Sequence, residues 1–519
     1  MPATDKKNLD FIFFVALLLL GCIILYHHVI FLYPAYMHDW AQADRLSLAI
    51  NFYDRGMNFF KPATHSLYSI DGITGVEFPI VSYLAAALGH IFGRGAISTC
   101  FRVLNIGITC LGLSFLFAAG YRITKSFWLS AFIPFFIFCA PVYSYYTSTY
   151  MPDSSGASVV FIGLYFMQQY LQKRDNRSLL STIGLLTLAT LMKTSTGIYC
   201  LGFLSLVFLQ YTLQLKRHSL KQHLIIITST VGAIAMIVGY YLYNNYLNEK
   251  YQSTLFLAKA NPFDNIKHIK IFYYDFFLNV WMFEYFSQLQ YVVLFTLVIP
   301  VHIFLTVRRL WEHLYLLVVF FVGAIAMLYL FGGQLFHHDY YIVSIVMPVI
   351  AFFLLIAVSL LNSYIPAGRL RLLPAAVIAV VCLSLFHYAL ADFTRRNDPV
   401  FLKKTFNVVE PVSWAAHGKE LLGSLNIPKN EHIGVLNEES PNRALVYLDR
   451  RGYHIPGISW IYNVGMAKDI MIKNRLNVMV CSRKTCNYMR EHDPEAYARF
   501  FVPVVIREDL AVFKLKPQN

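Results

Sequence analysis

The chain has 519 residues, of which 57% are hydrophobic and 14% are charged, and it contains 43 phenylalanines and 35 tyrosines. This apolar content excludes an ordinary soluble protein and indicates an integral membrane protein. The formal net charge of +14 does not predict nucleic acid as a partner, because the basic residues stand in short clusters between apolar runs and not along one polar face.

The first apolar run covers residues 11–33. Its segment "LLLLGC" resembles a lipoprotein cleavage box, but the run continues through "IILYHHVIFLY" and is long enough to cross a bilayer. We interpret it as a retained first helix, with Lys6 and Lys7 keeping the N-terminus in the cytoplasm.

Similar apolar runs recur as far as residue 391. A span needs roughly 20 residues, so the sequence predicts about eleven transmembrane helices. The predicted spans are 11–33, 99–120, 127–149, 155–171, 179–193, 197–214, 224–243, 289–307, 314–332, 341–363 and 373–391.

The stretch 78–93, "FPIVSYLAAALGHIFG", is apolar but short, and whether it crosses decides the side of everything that follows. If it lies along the outer surface, the main basic clusters fall in the cytoplasm; if it crosses, they all fall outside. These clusters are Arg122/Lys125, Lys173/Arg174/Arg177, Lys216/Arg217/Lys221, Arg308/Arg309 and Arg369/Arg371. The positive-inside rule therefore favours one long external loop, 34–98, that contains a membrane-surface helix.

The C-terminal part of the chain differs in character from the rest. It has ordinary polarity and short β-rich runs such as "HIGVLN", "NVMVCS" and "FVPVVI", which predict a soluble α/β domain. We expect a transmembrane domain over 1–395, with external loops 34–98 and 244–288, and an extracytoplasmic domain over 396–519. Cys481 and Cys486 could pair in a disulfide only outside the cytoplasm.

Two ionisable residues stand at the outer ends of predicted spans. Asp153, in "TSTYMPDSSGASVVF", either caps a helix or takes part in catalysis, and the two roles can coexist. Lys193 is the only charged residue between Arg177 and Lys216. It either snorkels to the outer headgroups or holds an anion at the membrane surface.

A third polar cluster lies in "FGGQLFHHDYYIVSIVMP". An interfacial aromatic belt explains Tyr340 and Tyr341 but not the preceding His-His-Asp, which suits contact with a metal, a phosphate or a sugar. Glu77, in "DGITGVEFP", stands before the short apolar stretch, where a solvated loop is the alternative interpretation.

The succession of "HDWAQADRLSLA", "GVEFPIVSYL", "YMPDSS" and "LMKTS" resembles the integral-membrane glycosyltransferases of the C superfamily (GT-C). The resemblance is greatest to the branch of protein O-mannosyltransferases and lipid A aminoarabinose transferases. It implies a multi-spanning α-helical enzyme of the bacterial inner membrane, and the basic clusters predict a cytoplasmic N-terminus and an extracytoplasmic C-terminus. Such an enzyme takes a sugar from a polyprenyl-phosphate carrier and transfers it to a glycan, lipid or protein acceptor on the outer face.

The resemblance also implies roles for individual residues. The acidic residue of the first external loop, at the reaction centre of the family, corresponds to Asp39. The acidic residue after the third helix corresponds to Asp153, and the lysine of the hairpin to Lys193. The sequence departs from the common Asp-Glu pair, because Trp40 follows Asp39.

Sugar transfer of this kind needs a base for the acceptor and positive charge for the departing phosphate. We expect Asp39 and Asp153 to be catalytic, with Asp39 as the base of an inverting single displacement. The expected donor phosphate ligands are Lys193, Arg102, His338 and Tyr340. The expected ligands of a divalent metal ion, the one possible cofactor, are Glu77, His337, His338 and Asp339.

Two other functions fit a polar cluster in a membrane bundle. A transporter or flippase for a lipid-linked glycan also needs such groups, although transporters more often place them at the middle of the bilayer. A polymerase or ligase joining whole glycans shares the same topology. The remaining charges of the first loop, Asp44, Arg45, Asp54 and Arg55, are interpreted as the solvated side of a surface helix.

Overall fold

The structure is a computed structural model, and it describes residues 3–213, 219–256, 260–364, 372–406, 412–457 and 464–516. The chain divides into two compact units. The first unit comprises Met1–Ile30, Arg102–Leu242 and Ala258–Arg396, and the second comprises Phe31–Phe101, Tyr243–Leu257 and Asn397–Asn519. Four basic residues of the topology prediction, Lys216, Arg217, Arg369 and Arg371, lie outside the described residues.

The first unit is helical, and each predicted apolar run lies mainly in helix. Its helices are Ala3–Tyr26, Ile97–Thr124, Phe127–Phe138, Pro141–Thr147, Pro152–Lys173, Asn176–Met192, Gly197–Leu213, Leu220–Lys250, Ile266–Ile271, Met282–Tyr285, Gln288–Val307, Trp311–Leu330, Gly332–Leu335, Tyr341–Ile345, Met347–Tyr364 and Leu372–Arg396, with a π-helix at Phe272–Trp281. Residues 97–101 and 243–250 of two of these helices belong to the second unit.

Among the described residues, 8 helices are long and apolar enough to cross a membrane, or up to 9 if one bent pair counts as a single span. Two further predicted spans form the helices Pro152–Lys173 and Asn176–Met192, which pair in a hairpin but do not meet the same criteria of length and composition. The chain is therefore an integral membrane protein, and the number of eleven spans stays a prediction.

One predicted span, 127–149, is two helices and not one. Phe127–Phe138 and Pro141–Thr147 meet at an angle of 76°. Pro141 is the reason, because a proline disfavours helical backbone in the residue before it, and Ala140 is accordingly extended. The bend turns a run of buried tyrosines, including Tyr143 and Tyr146, into the interior of the first unit.

The hairpin of Pro152–Lys173 and Asn176–Met192 places two of the predicted site residues side by side. Pro152 begins the first helix, where its missing N–H costs nothing, and Asp175 caps the second by accepting a hydrogen bond from Ser178 N at 2.9 Å. Close approach depends on Gly156, since a Cβ there would stand 3.0 Å from Lys193 Cβ. Asp153 and Lys193 can therefore meet.

The second unit combines residues 31–101, which include the first predicted external loop, with residues 243–257 and the C-terminal segment. Its α-helices are Asp39–Asp54, Ile80–Phe92, Pro399–Phe406, Gly418–Ser424, Arg443–Leu448, Val464–Lys473, Arg483–His492 and Pro494–Phe500, and its 3₁₀ turns are Ile70–Gly72, Arg94–Ala96 and Val412–Ala415. Its strands are β1 (Ile433–Leu436), β2 (Gly452–Ile455), β3 (Val478–Ser482), β4 (Phe501–Ile506) and β5 (Leu510–Leu515).

The five strands form one mixed sheet, in the order β2-β1-β3-β5-β4. Strands β2, β1 and β3 are parallel, with β2 at one edge of the sheet, and β5 and β4 form an antiparallel hairpin at the other edge. Strand β1 is buried along its whole length, as expected for a parallel strand covered on both faces. The predicted α/β domain is thus present, and its Cys481 and Cys486 are buried free thiols.

The structure groups the chain differently from the predicted division at residue 395. Residues 31–101 belong to the same compact unit as the C-terminal segment. The two are joined directly: Gly452 N donates to His65 O at 3.0 Å, and Tyr447 donates to Pro34 O at 2.9 Å. Only glycine fits at 452, because a Cβ there would lie 1.8 Å from Ile433 O.

The short apolar stretch forms the helix Ile80–Phe92. Its small residues Ala85, Ala86 and Gly89 are buried, whereas Ile91 and Phe92 are exposed. The helix is therefore two-sided, as a surface helix must be. That its apolar face lies on a membrane stays a prediction.

Candidate functional site

Asp39 occupies the first position of the helix Asp39–Asp54, shortly after the first apolar helix ends. The preceding residue, His38, has φ 54°, a left-handed turn that starts the new helix direction. A helix N-terminus stabilises a carboxylate through its free N–H groups and its dipole. Asp39 is nevertheless only 7% exposed, so its carboxylate also needs a partner from elsewhere.

That partner is Arg443, from the C-terminal segment of the same unit. Arg443 Nη1 lies 3.1 Å from Asp39 Oδ2 and 3.3 Å from Oδ1. The same guanidinium binds Glu438, with Nη2 2.9 Å from Oε1 and Nε 3.4 Å from Oε2. Two buried carboxylates therefore share one cation.

Two opposing effects act on the carboxyl groups of Asp39 and Glu438: burial and the positive charge of Arg443. Burial raises the pKa of the Asp39 carboxyl above its ordinary value, and the Arg443 guanidinium acts against that rise. Burial likewise raises the pKa of Glu438, again opposed by Arg443. A carboxylate whose pKa is raised is a better proton acceptor than a solvated one.

The interpretation of the other loop charges as a solvated face was wrong for Asp44 and Arg45, whereas Asp54 and Arg55 are exposed as predicted. Asp44 accepts a hydrogen bond from Asn442 Nδ2 at 2.8 Å, and burial raises its pKa to about 7. Asp54 is paired with Arg94, whose guanidinium also binds Asp449 at 2.6 Å. These charges connect the helix to the rest of its unit.

Glu77 is engaged by the same helix. Arg45 Nη2 lies 2.8 Å from Glu77 Oε2, and the Arg45 guanidinium also stands over the ring of Phe256 at 4.7 Å. The predicted metal ligand is thus part of an ion pair within the second unit.

In the first unit, the hairpin brings Asp153 and Lys193 together. Lys193 Nζ lies 3.2 Å from Asp153 Oδ1, and Asp153 Oδ1 also accepts a hydrogen bond from Ser344 at 3.1 Å. Lys193 is only 5% exposed, so it is not in the extended, solvated conformation of a snorkelling lysine. Asp153 lies in the first turn of its helix, and the N-cap position belongs to Met151.

Aromatic rings surround the Lys193 ammonium group. It stands 5.5 Å from the ring centre of Tyr340 and 5.0 Å from that of Tyr341, within the range of cation–π attraction. Arg102, in the same unit, donates to Ser148 O and Tyr150 OH and stands 4.5 Å over the ring of Tyr150, which lies three residues before Asp153 in the chain.

The predicted metal ligands do not fit a divalent ion. Asp339 is fully buried, and its two oxygens accept hydrogen bonds from Tyr146 OH and from Arg396 Nη1, the latter at 2.8 Å. His337, two residues earlier, is exposed. Over the ranges that the structure describes, no three His, Cys, Asp or Glu side chains are grouped as a metal site. Although His337, His338 and Asp339 are neighbours in the sequence, their side chains do not come together as a metal site.

Sequence reasoning missed the cluster to which Asp339 belongs. Arg396 has 0% exposure and binds three carboxylates: Asp339 at 2.8 Å, Glu284 at 2.9 Å and Asp392 at 3.2 Å. Arg395, beside it, binds Glu284 at 2.6 Å and also Asp392. The available signal was the charge in "ADFTRR" at the end of the last apolar run, since ionisable groups near membrane depth require partners.

These features define the class of protein. A unit with helices of membrane-spanning length, a long loop after the first of them that carries a buried acidic residue, and a C-terminal α/β segment agree with the GT-C fold that the sequence predicted.

Three solved structures share this fold. ArnT from Cupriavidus metallidurans bound to undecaprenyl phosphate is similar with a TM-score of 0.58 and 13% identity, over 98% of this chain and 99% of that one. The oligosaccharyltransferase from Archaeoglobus fulgidus, in complex with Zn and sulfate, gives a TM-score of 0.56 at 14% identity, over 94% and 71%. The arabinofuranosyltransferase AftD from Mycobacteria gives 0.55 at 11%, over 98% and 40%.

At the level of sequence, no family model and no curated protein matches the chain.

Proposed function

We propose that this protein transfers a sugar from a polyprenyl-phosphate-linked donor to an acceptor on the outer face of a bacterial inner membrane. The observation that carries the proposal is the buried Asp39 carboxylate at the start of the first external helix, in a chain that follows the GT-C fold over 98% of its length. Structures of this fold include one bound to undecaprenyl phosphate, one named as an oligosaccharyltransferase and one named as an arabinofuranosyltransferase, which supports transfer of a sugar from a lipid-linked donor.

Asp39 is the proposed general base. The acceptor oxygen attacks the anomeric carbon while the bond from that carbon to the phosphate oxygen breaks, through an oxocarbenium-like transition state. The acceptor proton passes to the Asp39 carboxylate. Burial raises the pKa of this carboxyl, which makes it a better proton acceptor. A single displacement of this kind inverts the anomeric centre.

Lys193 is proposed to act on the donor phosphate. The phosphodiester of the donor carries one negative charge, and the departing polyprenyl phosphate gains another, so a fixed cation stabilises the transition state more than the ground state. The Tyr340 and Tyr341 rings and the Asp153 carboxylate hold the ammonium group in place. No step is assigned to a metal ion, because the predicted ligands do not fit one.

The direct test is release of the carrier. Purified protein in lipid vesicles is supplied with a lipid extract containing polyprenyl-phosphate sugars and with candidate glycan, lipid and protein acceptors. We expect free polyprenyl phosphate to appear together with glycosylated acceptor. A transporter would move the lipid-linked sugar between leaflets without releasing polyprenyl phosphate, and that result would contradict sugar transfer.

The role of Lys193 predicts a specific loss. Lys193→Met leaves Asp153 as an uncompensated buried carboxylate, so it combines a stability defect with any catalytic defect. Neutralising both members, with Lys193→Met and Asp153→Asn together, is expected to restore the melting temperature. The double variant should still lose about 10- to 100-fold in kcat/KM for the donor, the equivalent of one charge-assisted contact to phosphate.

The matched control is Lys173→Ala, at the exposed other end of the helix that carries Asp153. It should keep the parental kcat/KM for the donor. Full donor use by the double variant would instead make the Asp153–Lys193 pair purely structural.

The sidedness of the proposal predicts a topology. An enzymatic reporter that is active only outside the cytoplasm, fused after Asn519, should score positive, since the basic clusters place residues 397–519 outside. The control is the same reporter fused after Lys125, between two helices, which should score negative. Inverted results from intact membrane-inserted fusions would move the proposed site to the cytoplasmic face.

A further inference from the structure

Arg443 connects Asp39 to a rigid part of the C-terminal segment. It is the first residue of the helix Arg443–Leu448, and its second carboxylate partner, Glu438, follows the buried strand β1 by two residues. The guanidinium uses one nitrogen, Nη1, for Asp39 and the other two, Nη2 and Nε, for Glu438. Because Glu438 binds two of the three guanidinium nitrogens, it fixes the plane of the Arg443 guanidinium. The third nitrogen then approaches the Asp39 carboxylate from a fixed direction.

Asn442, the residue before Arg443, makes a second contact between the C-terminal segment and the helix that carries Asp39. Asn442 donates to Asp44 at 2.8 Å and accepts a hydrogen bond from Ser66 N at 2.9 Å. Consecutive residues of the C-terminal segment thus bind two acidic residues of the helix Asp39–Asp54. The register of Arg443 against Asp39 is therefore set by two contacts, which is more than a chance surface ion pair provides.

We infer that Arg443 is a positioning residue for proton transfer: it keeps the Asp39 carboxylate ionised and oriented, and Glu438 limits how much of its positive charge Asp39 experiences. The inference rests on the proposed function, in which Asp39 is the base. It gives the C-terminal segment a part in the chemistry.

The charges around Asp39 predict opposite effects for the two partners. The charged or titratable groups that act on it include Arg443, Glu438 and the neighbouring His38. Removing the guanidinium leaves two buried carboxylates facing each other, which raises the pKa of Asp39. Removing the charge of Glu438 leaves the whole guanidinium to Asp39, which lowers it. His38 is unchanged in both variants.

The experiment is the pH profile of kcat/KM for sugar transfer, which reports the ionisation of the free enzyme. In Arg443→Met, the acid limb should move to higher pH by about 1 to 3 units. In Glu438→Gln, it should move to lower pH. Arg443→Lys keeps the charge and should hold the acid limb near the parental position, although its shape differs from that of the guanidinium.

The matched control is Arg94→Met, which breaks the ion pairs to Asp54 and Asp449 in the same unit without touching Asp39. It should lower the melting temperature and leave the acid limb in place. An unmoved acid limb in both Arg443→Met and Glu438→Gln, or a shift in the same direction in both, would overturn the inference. If Arg443→Met does not fold, Glu438→Gln and Arg443→Lys still decide the result.

A failure of the proposed function gives a different pattern. In that case the parent releases no polyprenyl phosphate, or Asp39→Asn is as active as the parent. The contact itself is then tested by melting temperature against pH. Loss of Arg443 raises the pKa of Asp39, and ionising a carboxyl of raised pKa destabilises the fold as pH rises. Asp39→Asn removes that ionisation. At pH 8 it should therefore raise the melting temperature more in the Arg443→Met variant than in the parent. An equal effect in both backgrounds would show that Arg443 does not control the ionisation of Asp39.

Discussion

Asp39→Asn is expected to lower the turnover of sugar transfer by about 10²- to 10⁴-fold, the usual contribution of a positioned base. The amide keeps the shape of the side chain and an oxygen that accepts from Arg443, but it cannot take the acceptor's proton. Donor binding should persist, because the loss affects proton transfer and not phosphate contact. The measurement is kcat by release of polyprenyl phosphate, with donor binding determined separately on the same preparation.

Asp54→Asn is the control for this prediction, because it removes a carboxylate at the other end of the same helix. Asp54 is bound to Arg94, and its loss should change turnover by no more than a few fold. Near-parental turnover in Asp39→Asn, with a defect in Asp54→Asn, would mean that the base has been misassigned.

Arg396→Met is expected to have the largest effect on stability. The substitution leaves the carboxylates of Asp339, Glu284 and Asp392 buried, with Arg395 as the remaining cation of the cluster. Breaking a buried ion pair from one side typically costs about 3–5 kcal/mol. Because a whole domain is commonly stable by only about 5–15 kcal/mol, the folded yield and the melting temperature in detergent should both fall sharply.

Arg395→Gln provides the comparison, since it removes the neighbouring cation from the same cluster. The Arg395 side chain is 41% exposed, and an ion pair in water contributes only about 0–1 kcal/mol. We expect Arg396→Met to lower the melting temperature much more than Arg395→Gln does. If the two variants melt equally close to the parent, the cluster does not stabilise this end of the last helix.

Elements with a local cause were predictable. The apolar runs became helices because a bilayer-length apolar segment has to satisfy its backbone groups internally, and that requirement is readable from the segment alone. The same locality explains the α/β segment and the meeting of Asp153 and Lys193, which a short hairpin brings together whatever the rest of the chain does. The split at Pro141 also has a local cause, in the constraint that a proline places on the preceding residue, although the prediction treated 127–149 as one span.

The partners of the charged residues were decided by tertiary structure. Asp39 and Arg443 are 404 positions apart, and Asp339 and Arg396 are 57 apart, so neither pair has a signature in sequence spacing. The His-His-Asp run, by contrast, is visible in the sequence but forms no metal site, because Asp339 turns inward to Arg396 while His337 is exposed. The sequence alone therefore determined the membrane class and the helices, and it pointed to Asp39 in the first loop as a candidate site residue, since each of these depends on a short segment. The fold decided which cation faces which carboxylate, because burial leaves a charge no alternative but the partner that the path of the chain brings to it.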